Sequence, residues 1–316
     1  MRDFNIYGLG GCGINVLNLF VQESKQSRFV NKIVGVDLSS ANPVTDGVFE
    51  VERMEGTEGS GGNKATHAAK AADFVKQVLA KHQPAKLNIL VYAAAGGSGA
   101  ALGPYMVRAM ISKGIPVLSM VIGDTTSIKE MENTVSTLRS LAAQANLLKA
   151  PVLFSYRENN NEFSQGAVNR TVVQTIDNAL TMLNLANERI DYADVKNFFY
   201  FSNVTNADPI LAQMSFKDES NLNTYDRIPV AALSLYNNID EIKAPFADLL
   251  YRKAGIFGKE SQGYGNALHA ILDHGTTINA IEKMMEEQET KQATLAGRYQ
   301  AKVDVAQGAS DDGMFF

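Results

Sequence analysis

The amino-acid sequence predicts an α/β protein built on a doubly wound, mostly parallel sheet, and three observations carry that prediction. Short apolar runs of strand length alternate with stretches of helical periodicity through the first half of the chain. Glycine-rich turns, GLGGCG at 8–13 and GGSG at 96–99, fall between a strand pattern and a helix pattern. The 316 residues, 45% hydrophobic and 20% charged, suffice for a large buried core of roughly two domains.

The elements follow in order. FNIYGLG at 4–10 reads as the first strand, INVLNLFVQ at 14–22 as a helix and KIVGVDL at 32–38 as the second strand. Residues 64–82 place apolar side chains at helical spacing. LNILVYAAA at 87–95 is the third strand, GPYMVRAMISKG at 103–114 a helix and IPVLSMVIG at 115–123 the fourth strand. A helix over 128–149 and a strand, PVLFSYR, at 151–157 complete a first domain spanning 1–163. Residues 164–190 hold a central helix too densely apolar for an exposed one, and the loop that follows it. A smaller α+β unit covers 191–275, with RIPVAALSLY as its clearest strand and NALHAILDHG as a short helix. A long helix, amphipathic and then polar, and an acidic tail fill 276–316.

Composition excludes several classes. A net charge of -5 without a Lys/Arg-rich run argues against direct binding of nucleic acid. Cys12 is the only cysteine, which excludes an internal disulfide and a thiolate-rich metal site and fits a reducing cytoplasm. The start of the chain lacks the apolar stretch of a secretory signal. Residues 87–107 carry no charge and are long enough to span a bilayer, but Gly96, Gly97, Gly99, Gly103 and Pro104 would break a spanning helix. No membrane partner is expected.

The glycines Gly8, Gly10 and Gly13 spell G-x-G-x-x-G, and Asp37 stands where a dinucleotide site places its ribose acid. An NAD(P)-dependent oxidoreductase is therefore the alternative reading. It lacks a catalytic His/Lys pair, because His67, His82, His269 and His274 read as surface or packing residues. Two further glycine turns shift the balance: GSGGNK at 59–64 and AAAGGSGAA at 93–101 also precede helices. Three such turns on one sheet edge suit a triphosphate, and none has the Walker ending Gly-Lys-Ser/Thr.

The set GLGGCGIN, GSGGNK, AAAGGSGAA, VIGDTTS and DYADV, in this order and spacing over about two-thirds of the chain, resembles the tubulin/FtsZ superfamily. The short carboxy-terminal region, polar last helix and acidic tail look most like the phage-encoded tubulins of the PhuZ type. Ser98 stands where the signature glycine loop usually has threonine, so a hydroxyl is kept.

The resemblance implies the tubulin/FtsZ GTPase fold, GTP or GDP as ligand with Mg²⁺, and head-to-tail self-assembly into filaments. It implies that Gly10, Gly11, Cys12 and Gly13 meet the α- and β-phosphates, with Asn15 one turn into the helix. Gly61, Gly62 and Asn63 would sense the γ-phosphate; Ala95, Gly96, Gly97, Ser98 and Gly99 would hold the phosphate chain; Asp124, Thr125 and Thr126 fall at the ribose. An amide both donates and accepts, which suits a guanine edge, so Asn159 and Asn169 are the base-binding candidates, with Asn160 a near alternative.

In NERIDYADVKNFF, Asp191 and Asp194 stand three apart, so a helix starting here sets both carboxylates on one face near its positive end. Taken alone, they are helix caps. The resemblance implies that they enter the nucleotide pocket of the next subunit and position the attacking water. Arg189 departs from the family, which commonly has asparagine there; Asn187 lies further back. The tail, with Asp304, Asp311 and Asp312 before Met314, Phe315 and Phe316, is expected to contact the neighbouring subunit by the same resemblance. The cellular setting it implies is the cytoplasm of an infected bacterium, with filaments positioning phage DNA or a replication compartment. Metal ligands are not assigned.

Overall fold

The computed structural model describes residues 3–39, 48–57, 68–259 and 266–300. Gly61, Gly62, Asn63, His67 and the tail beyond residue 300 lie outside the described residues. The first half alternates strand and helix: β1 (Phe4–Leu9), α1 (Gly10–Glu23), β2 (Val30–Asp37), β3 (Glu50–Arg53), α2 (Ala68–Lys81), β4 (Leu87–Ala93) and α3 (Ser98–Ile111). It continues with β5 (Val117–Asp124), α4 (Ile128–Leu148), β6 (Val152–Asn159) and the central helix α5 (Gln165–Leu183). Then come α6 (Tyr192–Phe199), β7 (Leu211–Asp218), β8 (Pro229–Tyr236), β9 (Tyr251–Ile256), β10 (Leu268–Asp273) and α7 (Thr277–Gln300).

The strands form one sheet in the order β3-β2-β1-β4-β5-β6-β7-β10-β8-β9. Pairing is parallel from β3 through β7; β10 runs antiparallel to both β7 and β8, and β9 parallel to β8. The carboxy-terminal strands thus extend the first sheet. This is the doubly wound, mostly parallel architecture expected from the alternating pattern. Every residue of β1 is buried, as in a strand covered on both faces. Along α5, Val172, Ile176 and Leu180 recur every fourth residue and are buried, which makes the helix the spine of the molecule. Truncating one of these side chains, such as Ile176→Ala, costs about 2–5 kcal/mol.

One expectation is corrected. NALHAILDHG forms no helix: Leu268–Asp273 is the strand β10, buried at every position. A short run this apolar shows no period that separates helix from strand, and the partners on both sides, β7 and β8, decide it by satisfying its backbone on two edges. The uncharged stretch 87–107 divides into β4, a turn and the start of α3. No helix among the described residues is long and apolar enough to cross a membrane.

Candidate functional site

β1 and β4 are neighbours in the sheet, although β2 and β3 intervene in the chain. Ligand crevices of doubly wound sheets lie outside the carboxyl ends of strands at such a reversal. α1 and α3 start there. Neither has a side-chain cap or an acidic residue in its first turn, whereas Ser127, Ser164 and Asp191 cap α4, α5 and α6. An uncapped amino terminus leaves N–H groups without acceptors at the positive end of the helix dipole, and two together suit an anion.

The two helix starts are in contact. A Cβ on Gly10 would lie 2.8 Å from the Gly99 nitrogen, and one on Gly99 2.8 Å from the Leu9 carbonyl oxygen. Gly10 also has φ of +69°, in the left-handed region. Gly13 packs closer still, its missing Cβ 2.3 Å from the Val91 oxygen. These three glycines are required by backbone crowding whatever binds there. Gly96 is different, since a Cβ there would meet only ordinary contacts, the nearest at 3.5 Å.

Beside these helix starts lies a cleft of about 300 Å³, bordered by Gly11, Cys12 and Asn15 of α1, by Ala95 and Gly96, by Asp124 and Asn159 at the ends of β5 and β6, and by Asn169 of α5. Glu130 and Gln165 also face it and were not foreseen. The Ser127-x-x-Glu130 capping pattern was the available signal for Glu130. Gln165 had none beyond following a helix cap.

Asn159 Nδ2 lies 3.5 Å from Asp124 Oδ2, while its Oδ1 is buried without a hydrogen-bond partner among the described residues. A buried acceptor left unpaired costs about 1–3 kcal/mol, so a ligand donor at this point recovers that energy. Asp124 Oδ1 accepts from the Thr126 N–H at 2.9 Å, and both the N–H and the hydroxyl of Thr125 donate to the Asn159 carbonyl. Thr125 and Thr126 therefore brace the wall from behind, and neither borders the cleft. Gly97 and Ser98 do not border it either; Ser98 faces the start of α1. Burial pushes the Cys12 thiol up to about 12, which keeps it neutral and makes it a packing group. Asp37 is fully buried and bonded to the Leu38 N–H, away from the cleft.

Asp191 and Asp194 sit elsewhere. α5 starts at the cleft with Gln165 and Asn169, and its 19 residues run about 28 Å before the chain turns toward α6. At the start of α6, the Tyr192 hydroxyl donates to the Lys86 carbonyl at 3.4 Å, and Lys86 pairs with Asp3 at 3.4 Å. Asp3 and Lys86 precede β1 and β4, so the acids lie at the amino-terminal edge of the sheet whose carboxyl edge carries the cleft. Asp191 is exposed. Asp194 is held by Lys253 of β9 at 2.8 Å, and its carbonyl accepts from the Tyr251 hydroxyl at 3.1 Å. The hydrogen bond to Asp194, with the attraction of its charge, raises the Lys253 ammonium pKa above its ordinary value.

No protein-family model matches the chain. A phage tubulin-like protein of Pseudomonas phage PhiPA3 is 23% identical over 317 residues, 98% of this chain and 97% of that protein. Another, of Pseudomonas phage phiKZ, is 25% identical over 243 residues, 75% of this chain and 73% of that protein. Among solved structures, the GDP form of the phage tubulin PhuZ aligns over 100% of both chains with a TM-score of 0.82 and 21% identity. The protofilament of TubZ from bacteriophage PhiKZ does so with a TM-score of 0.81 and 22% identity. The chain has the tubulin-like fold of these solved structures.

The loop before α6 is closed by its own residues and tied to β9. Arg189 adopts φ of 82°, and Asn187 Oδ1 accepts from the Ile190 N–H at 3.0 Å, closing the turn from two positions further back. Glu188 and Ile256 exchange backbone hydrogen bonds of 2.9 Å, tying the loop to β9. Among the described residues, the histidine–carboxylate cluster Glu50, Glu52 and His82 lies between β3 and the end of α2, outside the cleft. Lys81 bridges its acids and Lys32 meets the ring at 3.1 Å, so cations of the protein already neutralise it.

Proposed function

We propose that the chain binds GTP in the cleft at the starts of α1 and α3 and hydrolyses it when the next subunit of a head-to-tail filament supplies Asp191 and Asp194. The observation that carries this reading is the opposition of the two parts: an uncapped pair of helix ends at one edge of the sheet and two placed acids at the other. A monomer keeps them about 28 Å apart along α5. Stacking one subunit on another brings the acids of one toward the cleft of the next.

The residues fit the ligand. The helix ends supply N–H donors for phosphate oxygens, Asp124 stands at the wall for a ribose hydroxyl, and the unpaired Asn159 oxygen accepts from a guanine N–H. Phosphoryl transfer needs positioning and charge neutralisation more than covalent chemistry, so acids that orient a water are adequate. Mg²⁺ on the phosphates would neutralise developing charge. The similarity to a GDP-bound phage tubulin, a protofilament and a filament supports both guanine nucleotide and self-assembly. The relatives from Pseudomonas phages support a role in the host cytoplasm, with filaments positioning phage DNA or a replication compartment. By the resemblance to phage tubulins, the tail promotes assembly; removing residues 310–316 raises the critical concentration.

The test is phosphate release with GTP, against ATP and against NADH turnover, recorded with light scattering as protein concentration rises. GTP hydrolysis per molecule climbs together with scattering. Full specific activity at dilutions where nothing scatters would overturn the shared site.

A further inference from the structure

Past Phe154 the sheet forks. β6 pairs with β7 only through Val152, Leu153 and Phe154; β6 then continues to Asn159 against β5, and β7 to Asp218 against β10. The gap is a cleft of about 650 Å³ closed by the first turns of α5 and α7, well within the range of small-molecule sites. It shares no lining residue with the nucleotide cleft: Gln165 and Asn169 of α5 face that one, Ala167 and Thr171 this one.

Arg157 borders the fork with its charge uncompensated. Its Nη1 donates to the Tyr156 carbonyl at 2.7 Å and its Nη2 to the Thr175 hydroxyl at 3.4 Å. Those bonds cap an open strand edge, but they leave further guanidinium donors unused, and no carboxylate among the described residues lies within ion-pair distance. The other charges are largely engaged. Arg227 pairs with the buried Asp273 at 3.1 Å and donates to Ser215; Glu158 accepts from the Tyr156 hydroxyl at 3.2 Å. Asp226 also borders the fork, yet the charged group acting on Arg157 is Arg227, of like sign. Burial, with that repulsion added, pushes the Arg157 pKa down, and an anion in the fork would favour the charged guanidinium. The remaining walls are apolar: Val168, Ile281, Met284 and Phe163, which is 60% exposed at the rim.

We propose that this fork binds a small amphipathic anion, a carboxylate, sulfonate or phosphate on an apolar body, with Arg157 meeting the anionic group and Phe163, Ile281 and Met284 covering the rest.

The probe is 8-anilinonaphthalene-1-sulfonate, titrated into the full chain with and without saturating GDP, beside its neutral relative N-phenyl-1-naphthylamine. Saturable fluorescence that GDP leaves intact is expected. Arg157→Gln keeps a donor for Tyr156 and weakens sulfonate binding about tenfold or more, the scale of one charge-assisted hydrogen bond, while sparing the neutral probe. Thr171→Trp fills the cleft from an exposed position and removes both probes. Binding by Arg157→Gln within about twofold of the unsubstituted chain, an equal loss for both probes, or displacement by GDP would overturn the proposal. Should Arg157→Gln lose its cooperative melting, Thr171→Trp decides alone, and undiminished sulfonate binding by it counts against the site.

Discussion

Asp191 and Asp194 cap each other. The Asp194 N–H donates to Asp191 Oδ1 at 2.9 Å and the Asp191 N–H to Asp194 Oδ2 at 3.2 Å, a reciprocal capping box that starts α6. The structural and chemical readings of this pair therefore coincide on the same atoms, and a variant must separate them.

Asp191→Ser retains a capping hydroxyl and removes the charge, whereas Asp191→Ala removes both at a cost of about 1 kcal/mol in stability. Under the shared-site reading, both bind GTP, assemble, and fail to hydrolyse it, giving filaments that persist. Wild-type turnover by Asp191→Ser, measured as phosphate release, would reduce the residue to a cap.

The glycines divide into two sets. Gly99→Ala forces a Cβ to 2.8 Å from the Leu9 oxygen and lowers the melting temperature as well as nucleotide binding. Gly96→Ala meets nothing closer than 3.5 Å, so its melting curve stays near wild type while GDP affinity falls. Calorimetry of both variants with and without GDP distinguishes a fold requirement from a ligand requirement.

Asn159→Ala removes the unpaired acceptor from the cleft wall. GDP affinity falls about tenfold, the weight of one hydrogen bond in a closed site, and discrimination against ADP declines with it. Retained preference for GDP over ADP in competition binding would move base recognition to Asn169.

His269 predicts an acid sensitivity. The ring is fully buried between Ser234 at 2.9 Å and Glu219 at 3.0 Å, and burial holds its pKa below the ordinary 6.5. The unfolded chain therefore takes up this proton before the folded one does, so the stability due to the neutral ring is present above 6.5 and declines as pH falls below it. Glu219, held low chiefly by Lys243, loses its contribution as pH falls through and below its ordinary 4.5, in the same direction. Melting temperature recorded from neutral to acid pH should fall, and His269→Gln should flatten the decline between neutral pH and about 5.

Most of the parallel half was legible because β1, β2, β4, β5 and β6 are short apolar runs that alternate with helical patterns, and glycine turns follow β1 and β4, all local signals. β10 was not, since a six-residue apolar run has the same composition in either conformation and its neighbours β7 and β8 decide. β3 was also missed: its four residues, Glu50–Arg53, are half charged, and pairing with β2 alone makes them a strand. In the site, many residues expected to meet the nucleotide border the cleft, but Ser98 and Thr125 do not, and the Thr125 hydroxyl is instead spent on the Asn159 carbonyl of the neighbouring strand.

Residue order by itself determined the alternation of strand and helix, the glycine turns and the paired acids, because these depend on contacts a few positions apart. Only the tertiary structure decided that two helices would begin uncapped side by side and that the acids would lie at the opposite edge. That arrangement depends on which strands pair, and hydrogen bonds between segments far apart in the chain set the pairing, while the spine helix carries the chain from one edge of the sheet to the other.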